Sequence, residues 1–125
     1  MTNKDSTVVL HGIKSCDTVR RARKWLESHD IAFTFRDFRE TGPRLNEIDR
    51  WLTQVGPDVL LNKRSTTWKS LDDSVKNGLA PGQVAKLLAE YPTLIKRPIL
   101  ENGSALTVGF NEDRFRDVLA DTGGA

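Results

Sequence analysis

A chain of 125 residues is long enough to build one hydrophobic core and too short for two independent ones. Its 38% hydrophobic and 29% charged residues are typical of an ordinary soluble globular domain. Since 19 basic and 17 acidic residues leave a net charge of only +2, the composition gives no reason to expect a polyanionic partner.

The chain contains one cysteine, which excludes an internal disulfide framework. No apolar run approaches membrane-spanning length, and residues 1–6 lack the apolar core of a signal peptide. These features predict a cytoplasmic protein, because a free thiol stays reduced in that compartment.

The first part of the chain predicts a strand, a helix and a second strand. Residues 8–11 form a short apolar run, and in 31–38 the side chains of Phe33 and Phe35 alternate with the period of a strand. After Cys16, side chains recur with the spacing of one helical face: Val19, Ala22, Leu26 and His29. Two strands joined through such a helix are expected to be parallel, with a right-handed crossover.

The middle of the chain predicts a helical insertion, approximately residues 43–92, within a single domain of residues 1–125. Two apolar repeats have helical spacing: Leu45, Ile48, Leu52 and Val55 before Gly56-Pro57, and Val84, Leu87, Leu88 and Tyr91 before Pro92. Residues 62–79 between them are polar and loop-like, with room for one or two short helical turns. This block is too small to bury a core alone.

The end of the chain predicts a hairpin and a last helix. The runs 98–101 and 104–108 flank Asn102-Gly103, which favours a type I′ turn because that turn needs two residues at positive φ. Asn111 is placed to cap a helix whose buried stripe is Phe115, Val118 and Leu119, and the tail 121–125 is expected to fray. The whole order predicts an α/β domain with a mixed four-stranded sheet.

Cys16 lies where the first predicted strand gives way to the first predicted helix. Unpaired backbone N–H groups and the helix dipole at such a position favour an anion. They can lower the pKa of a thiol from about 8.5 to a range of about 3.5–7.5, so that the reactive thiolate forms at neutral pH. A lone cysteine is more commonly a buried structural residue, and position alone does not decide between the two interpretations.

Three blocks of the chain resemble the arsenate-reductase-like (ArsC and Spx type) family of the thioredoxin fold. They are GIKSCDT at 12–18, LNKRSTTW at 61–68 and LIKRPI at 94–99. The resemblance covers nearly the whole chain and is strongest to the YffB-type proteins, whose suggested activity is glutathione-dependent thiol reduction. It implies a thioredoxin-like fold, β-α-β then β-β-α around the insertion.

The resemblance also implies roles for individual residues. Cys16 becomes the catalytic nucleophile, and Arg97 is expected to point into the active-site cleft beside a cis Pro98. Because Val19 stands where a CxxC motif would have its second cysteine, the resolving thiol must come from outside, with glutathione as the co-substrate. No motif for a bound cofactor or a metal is visible. Further substrate-binding candidates are Lys14, Ser15, Arg20, Asn62, Arg64 and Pro98.

Two of these candidates carry more specific expectations. Arg20 is the basic residue nearest the cysteine by helical spacing, and it can serve as partner of the thiolate or of the Asp17 carboxylate. Arg64 can receive a carboxylate of glutathione.

Arsenate reduction is disfavoured by departures from the arsenate-reductase pattern. Those enzymes hold the oxyanion with several arginines, of which Arg97 keeps one, while the positions of two others fall at Asn62 and near Gly109. The histidine that they place four residues before the cysteine is Gly12 here, with His11 displaced by one step. An oxyanion site that lacks most of its cations is weak.

A regulatory role is the alternative that the resemblance leaves open. Spx-type proteins act by contacting RNA polymerase, and that branch is associated with a CxxC switch that this chain lacks. The missing second cysteine favours the enzyme. Neither a membrane nor a nucleic acid is an expected partner.

Overall fold

The computed structural model describes residues 8–77 and 81–120 of the chain. Its strands are β1 (Val8–Gly12), β2 (Thr34–Asp37), β3 (Ile99–Asn102) and β4 (Ala105–Val108). Its helices are α1 (Asp17–Ser28), α2 (Leu45–Val55), α3 (Pro57–Leu60), α4 (Thr66–Ser70), α5 (Asp73–Asn77), α6 (Pro81–Glu90) and α7 (Glu112–Ala120). The tail 121–125 and residues 78–80 of the predicted loop lie outside the described residues.

The chain divides into two compact units. The described residues of the first unit are 8–40 and 97–120, and those of the second unit are 41–77 and 81–96. The first unit holds the sheet with α1 and α7, whereas the second unit is helical and contains the segment of approximately 43–92 that was predicted as an insertion.

The sheet of the first unit has four strands in the order β2-β1-β3-β4. β1 is parallel to β2 and antiparallel to β3, and β3 is antiparallel to β4. The predicted mixed sheet, the parallel pairing through α1 and the thioredoxin-like order of elements are therefore confirmed. β2 is shorter than the predicted run 31–38, because its pairing with β1 begins only where Thr34 faces Val9.

The core of the first unit lies between one face of the sheet and the two helices α1 and α7. Leu10 and Leu100 face each other across β1 and β3 and are fully buried. Burial of a large apolar side chain stabilises a fold by about 1.5–3 kcal/mol. The buried cluster consists of Val8, Leu10, Ala22, Trp25, Leu26, Leu100, Phe115 and Val118.

The buried face of α1 differs from the predicted one at its end. His29 was expected on that face, but α1 ends at Ser28 and His29 is its exposed C-terminal cap. Trp25 is buried instead, and the imidazole ring of His29 stacks on its indole with the centroids 4.0 Å apart. The expectation was wrong because the helix stops before its periodicity reaches residue 29.

The turn of the β3–β4 hairpin also differs from the prediction. Asn102 pairs with Ala105, so Gly103 and Ser104 form the loop, and only Gly103 has a positive φ, of 62°. This is the pattern of a type II′ turn, with glycine at the first central position, rather than of a type I′ turn. Asn102 stays in the strand because its buried amide donates a hydrogen bond to the carbonyl oxygen of Val118 at 3.0 Å, which joins β3 to α7.

The last helix begins as the sequence predicts. The Asn111 side-chain oxygen accepts a hydrogen bond from the Arg114 N–H at 3.0 Å, which caps α7. Phe115 and Val118 are buried and Leu119 is partly buried, so the predicted stripe is confirmed.

The second unit contains the two predicted helices, α2 and α6, which contact each other. Gly56-Pro57 does not end helical structure there, because Gly56 turns the chain at a φ of 83° and Pro57 opens α3. Tyr91 lies beyond the end of α6 and is exposed, against expectation. In the described part of the predicted loop, α4 and α5 are the expected short helical turns.

Backbone hydrogen bonds join residues 60–62, in the middle of the second unit, to residues 94–96 at its end. Leu61 and Ile95 form an isolated antiparallel bridge. The Asn62 N–H donates to the Leu94 oxygen at 2.7 Å, and the Lys96 N–H donates to the Leu60 oxygen at 2.8 Å. Within the described ranges, no helix combines the length and the apolar character that a membrane crossing requires.

Candidate active site

Cys16 is the N-terminal cap of α1 and is half-buried. Its backbone is extended, with φ −79° and ψ 125°, and its N–H donates to the Ile13 oxygen at 3.0 Å. Its carbonyl oxygen accepts the first helical hydrogen bond, from the Arg20 N–H at 2.9 Å. The thiol therefore stands at the positive end of the helix, as the sequence predicts.

Opposing influences act on the pKa of Cys16. Burial is the largest of them and raises the pKa of the thiol. The Val19 N–H, the Arg97 side chain and the Thr18 N–H lower the pKa, and together they leave it below the ordinary value of a thiol.

Arg97 and Pro98 supply the second element of the site. The Arg97–Pro98 peptide bond is cis, as the resemblance implies. Pro98 is buried, and its carbonyl oxygen accepts a hydrogen bond from the Gly109 N–H at 2.7 Å, just beyond β4. Arg97 is half-buried and acts on Cys16 through both a side-chain hydrogen bond and its positive charge.

Gly12 allows the end of β1 to approach the first turn of α1. A Cβ atom built on Gly12 would lie 2.7 Å from Cγ2 of Val19 and 3.0 Å from its Cγ1. A larger residue would displace Val19, whose N–H helps to lower the pKa of Cys16. The packing therefore gives a physical reason for a glycine where the arsenate-reductase pattern has a histidine.

Three predicted binding residues lie around the thiol along the chain. The Lys14 ammonium pairs with the Glu40 carboxylate at 3.3 Å, Nζ to Oε2, and both side chains are exposed. Ser15 is exposed. The predicted partners of Arg20 were the Cys16 thiolate and the Asp17 carboxylate, and in the structure Arg20 pairs with the carboxylate. Their role in binding substrate stays a prediction.

Asp37 contacts the loop that carries the thiol, and the sequence patterns did not predict this contact. It is buried at the end of β2, and its Oδ2 accepts a hydrogen bond from the Lys14 N–H at 3.2 Å. Its Oδ1 accepts another from the Arg39 N–H at 2.8 Å. The available signal was an aspartate between a strand and a polar turn, where its side chain can bind nearby backbone N–H groups.

His11 and Glu101 form a buried pair in the same unit. His11 Nε2 lies 2.7 Å from Glu101 Oε1, with side-chain exposures of 1% and 9%. The His11 ring also stacks on Phe38 with the centroids 6.3 Å apart. The first contact joins β1 to β3, and the second joins β1 to the residue after β2.

Asn62 and Arg64 belong to the second unit. The Asn62 side-chain oxygen accepts a hydrogen bond from the Arg64 N–H at 3.1 Å, which forms a tight turn before α4. Ser65 caps α4 by accepting the Trp68 N–H at 3.1 Å. The Arg64 side chain is exposed. Substrate binding by both residues, and binding of a glutathione carboxylate by Arg64, stay predictions.

Residues 8–77 and 81–120 contain no group of three or more His, Cys, Asp and Glu side chains that could hold a metal ion.

The fold and the site define a thioredoxin-like protein with one thiol at the start of α1 and a cis proline after an arginine. The model of the ArsC family matches residues 11–118, and the chain belongs to this family.

Two curated relatives resemble the chain over most of its length. It is 50% identical to an uncharacterized protein of Haemophilus influenzae, over 90% of this chain and 99% of the other. It is 34% identical to the global transcriptional regulator Spx of Bacillus subtilis, over 90% of this chain and 86% of the other.

Two solved structures resemble the chain as well. A YffB protein superposes with a TM-score of 0.87 at 38% identity, covering 91% of this chain and 100% of the other. An arsenate reductase related protein of Brucella melitensis gives a TM-score of 0.71 at 35% identity, covering 92% and 96%.

Proposed function

We propose that the protein is a thiol oxidoreductase that uses the Cys16 thiolate as its nucleophile and glutathione as its external resolving thiol. The observation that carries the proposal is the thiol at the N-terminus of α1, with its pKa lowered by the Val19 N–H, Arg97 and the Thr18 N–H despite burial. A thiolate, not a thiol, attacks disulfides. The similarity to an arsenate reductase related protein supports thiol-based redox chemistry.

The reaction is thiol–disulfide exchange in two steps. The Cys16 thiolate attacks one sulfur of a substrate disulfide, which forms a mixed disulfide with Cys16 and releases the other sulfur as a thiolate. The thiolate of glutathione then attacks the substrate sulfur of that mixed disulfide. Cys16 leaves as a thiolate, the substrate sulfur remains bonded to glutathione, and a proton from solvent converts the released thiolate to a thiol.

Arg97 contributes to both steps through its charge. It stabilises the Cys16 thiolate before the attack, and it stabilises the same thiolate again when Cys16 is the leaving group. The other candidates for binding an anionic substrate or glutathione are Lys14, Ser15, Arg20, Asn62, Arg64 and Pro98.

The need for an external thiol follows from the sequence. The chain has a single cysteine, and Val19 occupies the place of a second one in a CxxC motif. A mixed disulfide on Cys16 therefore has no partner in the same chain. A reducing compartment such as the cytoplasm supplies glutathione for that step.

The test is an adduct and turnover experiment with the Cys16→Ser variant as control. We expect oxidised glutathione to add one glutathionyl group to the wild-type protein by intact mass, reduced glutathione to remove it, and the variant to gain none. The wild-type protein should also accelerate the reduction of a small mixed disulfide by glutathione. An ordinary thiol pKa together with no adduct would contradict the proposal.

A regulatory function is the second candidate, and the relatives named Spx favour it. The chain is 34–36% identical to several of them over 86% of their length. Under this alternative the chain binds RNA polymerase without catalysis. The test is binding of purified RNA polymerase to the wild-type chain and to Cys16→Ser. If both bind equally and neither shows turnover, the regulatory function replaces the enzymatic proposal.

Arsenate reduction is a third and less favoured candidate. The Val19 packing against Gly12 leaves no room for a side chain where arsenate reductases place a histidine. Arsenate turnover above that of the Cys16→Ser control would reverse this ranking.

A further inference from the structure

We propose that Asp37 is a positioning residue of the site, whose carboxylate holds the loop between β1 and α1 so that Cys16 meets its stabilising groups. The inference rests on the proposed function, because it concerns the same thiol. Asp37 does not act on the substrate. It acts through the backbone of Lys14, two residues before the cysteine.

The contacts of Asp37 join the end of β2 to this loop. Asp37 faces Gly12 across the parallel pair, and the next residue, Phe38, donates its N–H to the Gly12 oxygen at 2.8 Å. The pairing of the strands thus continues up to the point where the loop begins. Beyond it, Asp37 Oδ2 receives the Lys14 N–H at 3.2 Å, and Oδ1 receives the Arg39 N–H at 2.8 Å.

Because Asp37 is buried, the loss of either of these two hydrogen bonds is energetically unfavourable. Asp37 is only 7% exposed, so water does not readily replace the Lys14 and Arg39 N–H groups as partners of the carboxylate. A buried acceptor that loses its donors, or a donor that loses its acceptor, is unfavourable, and charged acceptors form the stronger bonds. The charged neighbours on either side are Lys14 with its partner Glu40, and Arg39, all of which are exposed.

Two other contacts of the loop backbone are local to β1, the loop itself and α1. Gly12 packs on Val19 at the start, and the Cys16 N–H binds the Ile13 oxygen at the end. Among the described hydrogen bonds, the one to Asp37 holds the loop backbone from a different strand. Its loss would let the loop move relative to α1, and with it the sulfur relative to the Val19 N–H and Arg97.

The positioning role and a simple charge effect predict opposite results for Asp37→Asn. The amide keeps the size of the carboxylate but offers one acceptor oxygen, so one of the two N–H groups loses its partner. Removal of a nearby negative charge by itself would favour the thiolate and lower the pKa of Cys16. Loss of position would weaken the stabilising contacts and raise it.

The experiment measures the pH dependence of Cys16 alkylation by iodoacetamide in the wild-type chain, Asp37→Asn and Asp49→Asn. Asp49 is exposed on α2, so its variant is a control for the loss of one negative charge. We expect the midpoint of the alkylation pH profile to rise only in Asp37→Asn. At pH values below the wild-type midpoint, Cys16 of this variant should be alkylated about threefold more slowly than in the wild type. An unchanged or lowered midpoint in a folded Asp37→Asn protein would overturn the inference.

A second measurement needs no variant, in case Asp37→Asn does not fold. Amide hydrogen exchange in the wild-type protein should show protection of the Lys14 and Arg39 N–H groups, which solvent-exposed loop amides lack. Exchange of the Lys14 N–H at the unprotected rate would also overturn the inference. If the wild-type protein has a lowered alkylation midpoint but either of these results is negative, the inference about Asp37 fails and the proposed function stands. An ordinary alkylation midpoint in the wild-type protein would contradict the proposed function itself.

Discussion

The two units of the chain bury different kinds of side chain. Among the described residues, the buried polar or charged side chains all belong to the first unit, and they are His11, Asp37, Glu101, Asn102 and Thr107. The buried side chains of the second unit are apolar, such as Ile48, Trp51 and Leu88. Buried polar groups need partners with defined geometry, so they fix positions more tightly than apolar contacts do. The Val19 and Thr18 N–H groups and Arg97, which lower the pKa of Cys16, also belong to the first unit.

The largest expected effect is on stability and comes from the second unit. Leu88→Ala should destabilise the protein by about 2–5 kcal/mol, because Leu88 is fully buried and the variant leaves a cavity. Denaturant unfolding measures the loss, and alkylation of the folded variant should show an unchanged Cys16 midpoint. A shifted alkylation midpoint would contradict the difference between the two units, since the pKa of Cys16 would then depend on apolar packing in the second unit.

Gly12→Ala should have a smaller effect on stability and an added effect on the thiol. The new methyl group would meet Val19 at 2.7 Å, and such overpacking costs about 1–3 kcal/mol. Because the Val19 N–H helps to lower the pKa of Cys16, the alkylation midpoint should rise as well. Gly42→Ala is the matched control, since a Cβ there meets nothing within 4 Å.

Arg97→Gln should affect the thiol more than the fold. The variant loses the positive charge and weakens the side-chain hydrogen bond that lower the pKa of Cys16. Alkylation below the wild-type midpoint should slow by up to about tenfold. Arg114→Gln, an exposed arginine on α7 of the same unit, should leave the midpoint in place. Equal alkylation midpoints in the two variants would show that Arg97 does not lower the pKa of Cys16.

The smallest expected effect is a pH dependence of stability under reducing conditions. The pKa of Cys16 is lowered in the folded state, so its thiolate stabilises the fold fully above the unfolded-state pKa of about 8.5. That contribution is lost as the pH falls through the lower folded-state pKa. Between the two values, stability should therefore rise with pH in the wild type relative to Cys16→Ser, as chemical denaturation at a series of pH values can show.

Local patterns in the sequence predicted most of the fold. The 3.6-residue period located α1, α2 and α6, and the position of Cys16 before α1 followed from the same pattern. The prediction was wrong by one or a few residues where an element ends, as at His29 and Tyr91, because periodicity does not mark a terminus. The hairpin turn was wrong by one residue because Asn102 is held in β3 by α7, a contact that no local pattern contains.

The candidate site was predictable only in part, for the same reason. The thiol at a helix start is a local feature, and its position was read from neighbouring residues. Arg97 and the cis Pro98 came from the family resemblance rather than from spacing. Asp37 and Lys14 are 23 residues apart, and no periodicity connects an aspartate after one strand to a backbone N–H after another.

The sequence by itself therefore determined which segments become helices and strands and where the thiol stands on its helix, since these depend on residues within one or two turns of each other. Only the tertiary structure decided which groups surround that thiol and which carboxylate holds its loop. Parallel pairing of β1 and β2 brings Asp37 beside Gly12 and Lys14, and antiparallel pairing of β3 with β1 sets Glu101 against His11. Such contacts depend on which strands become neighbours, and that choice is made by burial of the whole core.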